Sequence, residues 1–123
     1  MAKIKLGNRP KNFKQAVSFT MLDGMTGTIE CVFKYRTRIE FGAFLDSVFA
    51  DAGETSDKFA MADLMEKTRN KNAEYLSQVL DGWNLDEELS LENLQQLADE
   101  CPGAVHAVME SYRAAILDGR LGN

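Results

Sequence analysis

The chain has 123 residues, enough for one domain with its own core and too few for a multidomain enzyme. Lys and Arg number 14 and Asp and Glu 19, a net charge of −5 that argues against a general binder of nucleic acid or acidic membrane. That total conceals a split. Met1 to Arg38 carries eight basic residues against two acids, a net of +6, while Ile39 onward carries six against seventeen, a net of −11.

In chain order, the first third alternates. Phe13, Val17, Phe19 and Met21 are apolar with polar residues between them, and Ile29, Cys31, Phe33 and Tyr35 repeat the pattern. A period of two rich in aromatic and β-branched side chains predicts half-buried strands. Asp23-Gly24-Met25-Thr26-Gly27 supplies the glycines of a reversal, so a hairpin over 13–22 and 27–36 is expected. Ile4 and Leu6 alternate with Lys3 and Lys5 and would add a short third strand before Gly7-Asn8-Arg9-Pro10.

From Thr37 the period changes to that of a helix. Thr37-Arg38-Ile39-Glu40 fits a capping box, and Phe41, Phe44, Leu45, Val48 and Phe49 form one apolar stripe on a helix expected to end near Gly53. A longer helix over 57–81 has Met61, Leu64, Met65, Thr68, Tyr75, Leu76 and Val79 as its stripe. Its middle, Lys67 to Asn72, is polar almost all round, so one end of this helix is expected to leave the core. Among the methionines, position in their stripes assigns Met65 and Met109 to the core, and Met25 to an exposed turn.

After the connector Trp83 to Leu89, Ser90 caps a helix over 91–100, with Leu89 and Leu94 spaced as a hydrophobic staple. Pro102 suits the first turn of a last helix, which buries Val105, Val108, Met109, Tyr112 and Ile116. The fold class expected is α+β: an antiparallel hairpin followed by about four helices, one domain over 1–123 with a basic β part (1–36) and an acidic helical part (37–123).

Chemistry is scarce in these residues. His106 is the single histidine and has no partner at ligand or catalytic spacing. Cys31 and Cys101 are far apart in no metal or disulfide-framework pattern, and the glycines form no phosphate-binding loop. The acids at Asp86-Glu87-Glu88, Glu92, Asp99 and Glu100 read as a solvated surface near helix N-termini. No catalytic, metal or cofactor site is therefore assigned. No apolar run approaches the ~20 residues of a membrane span, and the start Met1-Ala2-Lys3-Ile4-Lys5-Leu6 has no apolar signal core. A cytoplasmic protein is expected, with interaction residues sought on the hairpin at Phe13, Val17, Phe19, Met25, Phe33, Tyr35, Arg36 and Arg38.

Leu6-Gly7-Asn8-Arg9-Pro10-Lys11-Asn12-Phe13 and Tyr35-Arg36-Thr37-Arg38-Ile39-Glu40-Phe41 resemble the tail assembly chaperones of long-tailed bacteriophages and prophages. So do Gly82-Trp83-Asn84-Leu85, Leu91-Glu92-Asn93-Leu94 and Pro102-Gly103-Ala104 leading to Tyr112, with Cys101 departing from the aromatic residue expected there. The resemblance implies a non-catalytic protein that binds the tape measure protein, the long helical chain that sets tail length. It implies that the protein keeps this client soluble and helps recruit tail-tube subunits, with the major tail-tube protein as a further partner. It implies a homo-oligomer acting in the host cytoplasm and absent from the mature virion. The other reading of the residues is a small accessory or regulatory protein that binds nucleic acid through its basic hairpin. The charge split also suggests head-to-tail assembly, basic hairpin on acidic helices. Assembly of that kind loses mass in light scattering as salt is raised, and a salt-independent mass would count against it.

Overall fold

The computed structural model describes residues 5–7, 9–49 and 61–119. Strands β1 (Asn12–Thr20) and β2 (Thr26–Lys34) form an antiparallel hairpin running in register from Asn12 opposite Lys34 to Thr20 opposite Thr26. Helix α1 (Arg38–Val48) follows, then α2 (Met61–Val79), a short strand β3 (Leu80–Trp83), α3 (Leu91–Glu100) and α4 (Pro102–Asp118). The sheet order is β1-β2-β3, antiparallel throughout, so the protein is α+β with helices against one face of the sheet.

Alternation along the hairpin decides which face is covered. Val17, Ile29, Cys31 and Phe33 are buried, and Phe13 and Phe19 are packed at the margin. Lys14, Ala16, Ser18, Thr28 and Glu30 face outward and are exposed. At the reversal, the Asp23 carboxylate accepts from the Met25 N–H (2.9 Å) and Gly24 adopts a φ of 85°. The Phe19 ring lies across Gly27 so closely that an added Cβ would stand 2.8 Å from it, which explains a glycine inside a strand.

Two expectations about the sheet need correction. The third strand expected around Ile4 and Leu6 is not seen among the described residues: Lys5 to Gly7 form a turn or irregular backbone, and Lys3 and Ile4 lie outside them. Instead Leu80–Trp83 adds to β2, Cys31 opposite Trp83 and Val32 opposite Gly82, with a bulge that leaves Asp81 as the extra residue. Helix α2 accordingly stops at Val79 rather than 81. Asp81-Gly82 resembles a helix stop, but the open side of β2 recruits this segment into the sheet. The side chain of Asn84 continues the pairing by accepting from the Glu30 N–H (2.9 Å). Helix α1 ends at Val48 with Phe49 as its C-cap, short of the end expected near Gly53, and the expected start of α2 at 57 falls outside the described residues.

The caps follow the sequence closely. Thr37 Oγ1 accepts from the Glu40 N–H, and the Glu40 carboxylate accepts from the Thr37 N–H (2.9 Å) and pairs with Arg9. The Thr37 N–H above all, helped by the Arg9 charge, holds the Glu40 carboxyl below its ordinary range against the opposing effect of desolvation. Ser90 caps α3 at Asn93, and Leu94 is buried in the core against which the partly buried Leu89 packs. Pro102 occupies the first turn of α4, and Gly119 ends it in the left-handed conformation.

Tyr112 of α4 is the centre of the core and fully buried. Its ring stacks on Phe13 (6.2 Å), tilts against Phe33 (5.2 Å) and meets Phe41 edge-on (5.7 Å), joining both long strands and α1. Its hydroxyl donates to the Lys34 carbonyl (2.9 Å) and accepts from the Arg36 guanidinium (3.0 Å), which also lies 4.3 Å over the Phe44 ring. Burial raises the Tyr112 hydroxyl's pKa, an effect partly offset by Arg36, so the proton needed for that donation stays in place. Tyr112→Phe strands the Lys34 carbonyl and the guanidinium, and should cost about 1–3 kcal/mol. Tyr112→Ala should cost about 3–5 kcal/mol in urea unfolding. A phenylalanine variant as stable as the parent would show that the hydroxyl does no structural work.

Candidate interaction surfaces

The residues sought on the hairpin divide into two groups. Val17 and Phe33 lie in the core, Phe13 and Phe19 line its margin, and Arg36 is engaged by Tyr112 and Phe44. The covering that a lone hairpin needs is supplied by the chain's own helices. Met25 is 67% exposed at the hairpin tip, and Arg38 is exposed at the first turn of α1. Tyr35 is half-buried beneath Arg9, whose guanidinium lies 5.5 Å from the ring centroid. The structure thus brings Phe13, Phe33 and Arg36 together around Tyr112 and leaves Met25 and Arg38 apart on the surface.

Helix α2 carries a more conspicuous surface. Its residues from Met61 to Thr68 are all exposed, and burial begins in earnest only at Ala73, Tyr75 and Leu76. Met61 is 66% exposed, Leu64 38% and Met65 56%, a ridge at helical spacing on one side of the helix. One end of α2 therefore does leave the core, as its polar middle implies. The assignment of Met65 to the core is overturned: the stripe continues beyond the last packed turn. Met109 is partly buried against the core. Where α2 rejoins the body, Lys71 Nζ donates to the Val48 carbonyl (3.0 Å), satisfying a free acceptor in the last turn of α1.

A groove of about 490 Å³ opens between α1, α2 and α4. Leu45, Phe49, Met109 and Leu117 form its apolar floor, and His106 and Arg113 stand at its rim. The Phe44 and Phe49 rings flank Tyr75 at 5.0 and 6.3 Å, stiffening one wall. Leu45, Phe49 and Met109 were visible in the sequence as members of helical stripes, but only the crossing of three helices shows that they are incompletely covered. Helix stripes wider than the ~100° needed to face a core are the signal that would have found them.

The described residues contain no group of three or more His, Cys, Asp or Glu placed to hold a metal ion. Asp86, Glu87, Glu88, Glu92, Asp99 and Glu100 are all exposed. Among the described residues no helix is long and apolar enough to cross a membrane. Both cysteines are free thiols, Cys31 in the core and Cys101 partly exposed. Desolvation pushes the Cys31 thiol up to about 12.

An enclosed aromatic core lies beneath open apolar surfaces on α2 and in the groove beside Phe49. The whole chain, residues 1–123, matches the family model of the phage tail assembly chaperones, and the protein belongs to that family. No curated protein and no solved structure matches it.

The burial of Cys31 has a direct readout. Burial both shields this thiol and keeps it protonated at pH ~8, so it lacks the thiolate that reacts. Ellman's reagent should therefore titrate one thiol, Cys101, in the native protein and both in denaturant. Two rapidly reacting native thiols would show that the sheet opens over Cys31.

Proposed function

We propose that this chaperone is a non-catalytic protein that binds the tape measure protein, keeps it soluble and helps recruit tail-tube subunits to it. It works as a homo-oligomer in the host cytoplasm and leaves before the virion is complete. The whole-length family match carries this reading, and two surfaces support it physically. A long helical client presents apolar stripes before it is enclosed by tube. The Met61, Leu64 and Met65 ridge and the groove floored by Leu45, Phe49, Met109 and Leu117 offer such stripes apolar, adaptable contacts. Methionine suits a client whose stripes vary along its length, because its unbranched side chain refits to each. Met25, Tyr35 and Arg38 supply accessible contacts on the basic side, while Phe13, Val17, Phe19, Phe33 and Arg36 serve by holding the scaffold.

A nucleic-acid role for the basic hairpin has one observation in its favour. Lys11, Lys14, Lys34 and Arg38 make no ion pair among the described residues. The net charge of −5 weighs against it, and a salt-sensitive DNA shift near physiological ionic strength would be needed to revive it.

Co-expression with the tape measure protein decides between these roles. The client's soluble fraction should rise with the chaperone present. Replacing Met61, Leu64 and Met65 together by Ser should weaken client binding at least about tenfold while leaving the fold intact, since all three are exposed. A client no more soluble with the chaperone than without it would overturn the proposal.

A further inference from the structure

The outer edge of β1 is an open hydrogen-bonding surface. The Tyr35 N–H donates to the Lys11 carbonyl (3.2 Å) and the Met21 N–H to the Met25 carbonyl (2.8 Å), so the odd-numbered positions of β1 bond to β2. The alternation of an antiparallel ladder then turns the N–H and C=O groups of Asn12, Lys14, Ala16, Ser18 and Thr20 away from the sheet. Among the described residues no backbone hydrogen bond reaches these groups. Helix α4 runs beneath the strand, with Gly103 against the Thr20 carbonyl and Tyr112 against Phe13, and covers its inner face. Monomeric proteins blunt such edges with short strands, proline, bulges or an inward charge. β1 has nine residues, no proline, no glycine, no bulge with β2 and no charge on its inner face.

We infer that β1 pairs antiparallel with β1 of a second copy, with Ala16 on the two-fold axis. This inference rests on the self-association proposed above and names its surface. The strand is self-complementary about Ala16. The outward-directed groups of Asn12, Lys14 and Ala16 meet those of Thr20, Ser18 and Ala16 in the other copy. Ala16, small and exposed, is the residue brought closest to itself on the outer face.

On the inner face Phe13 lies beside Phe19 of the other copy, and Gln15 beside Val17. These are non-hydrogen-bonded pairs, in which side chains approach most closely. Both phenylalanines sit only partly buried at the margin of the core, and each would close the other's open side. The Gln15 side-chain oxygen is buried without a hydrogen-bond partner, so the inner face at this edge is incompletely satisfied in the single chain.

Charge selects the antiparallel arrangement. It sets Lys14 opposite Ser18, four residues from the other Lys14, about 13 Å along the strand. That exceeds the ~8 Å screening length at physiological salt, whereas parallel pairing in register would stack the two ammonium groups. The contact is therefore insensitive to salt, unlike head-to-tail assembly driven by the charge split.

The test uses the full-length chain in multi-angle light scattering. The parent should show twice the 13.7 kDa chain mass or an even multiple of it, unchanged as salt is raised. Ala16→Lys puts two charges together at the axis on an exposed position and should halve that mass with an unchanged circular-dichroism spectrum. In a Cys101→Ser background, Ala16→Cys should form an intermolecular disulfide on mild oxidation. Its Cα separation of ~5.5 Å across such a pair lies within the disulfide range. Thr28→Cys, on the same face of β2, should not cross-link. An oligomer whose mass survives Ala16→Lys and which Ala16→Cys does not cross-link would overturn edge pairing and leave self-association standing. A mass that falls with salt would assign the contact to the charged halves and overturn edge pairing. A monomer at every concentration would overturn both.

Discussion

The fold turns on a single phenolic hydroxyl held where strand, linker and helix meet. Tyr112 Oη joins the end of β2, through the Lys34 carbonyl, to the segment leading into α1, through Arg36. The ring beneath it touches β1, β2 and α1. Because the site is buried, each polar group there needs its partner, and removing one strands the others. The geometry also draws the partly buried Arg36 against the core although it carries charge: its guanidinium is held by a hydroxyl and an aromatic face rather than by a carboxylate. The basic character of the first third therefore overstates the charge available to a partner.

The division between rigid and open regions follows from that node. Around Tyr112 the packing is aromatic and closed; the outer face of the sheet and the near half of α2 lie away from it, and the groove by Phe49 opens on the far side of Phe41. Under the function proposed above, a small scaffold that meets a long client and its own copies separates the two requirements in this way. The interior fixes the shape, and unbranched or small side chains at the surface accept imperfect partners. The exposed ion pairs, such as Glu110 with Arg113 and Glu66 with Arg69, contribute solubility more than stability.

Local signals in the sequence were legible wherever a rule acts within a few residues. The capping box at Thr37, the cap at Ser90, Pro102 at a helix start and the alternation of the hairpin all appear where their chemistry places them. The misreadings share one cause, which is dependence on distant contacts. Leu80–Trp83 is too short to show a period and becomes a strand because β2 has a free side. Met65 lies in a regular stripe yet stays exposed because no described element packs over that turn of α2. Of the residues sought on the hairpin, Val17 and Phe33 are buried by helices that only the three-dimensional structure brings over them. The family resemblance, by contrast, was carried by short segments spread along the chain, and the match over residues 1–123 bears it out.

The late position of β3 also sets the order in which the molecule can complete itself. β1 and β2 meet through a tight reversal, whereas Asn84 must find Glu30 across 54 positions and Tyr112 must find Lys34 across 78. Loop closure over such spans costs entropy before any contact rewards it, so the hairpin forms early and these pairings late. A chain emerging from the ribosome thus displays a two-edged ribbon until α2 and the strand after it have been made. Its central strand is finished, and its aromatic face closed, only when the last helix delivers Tyr112.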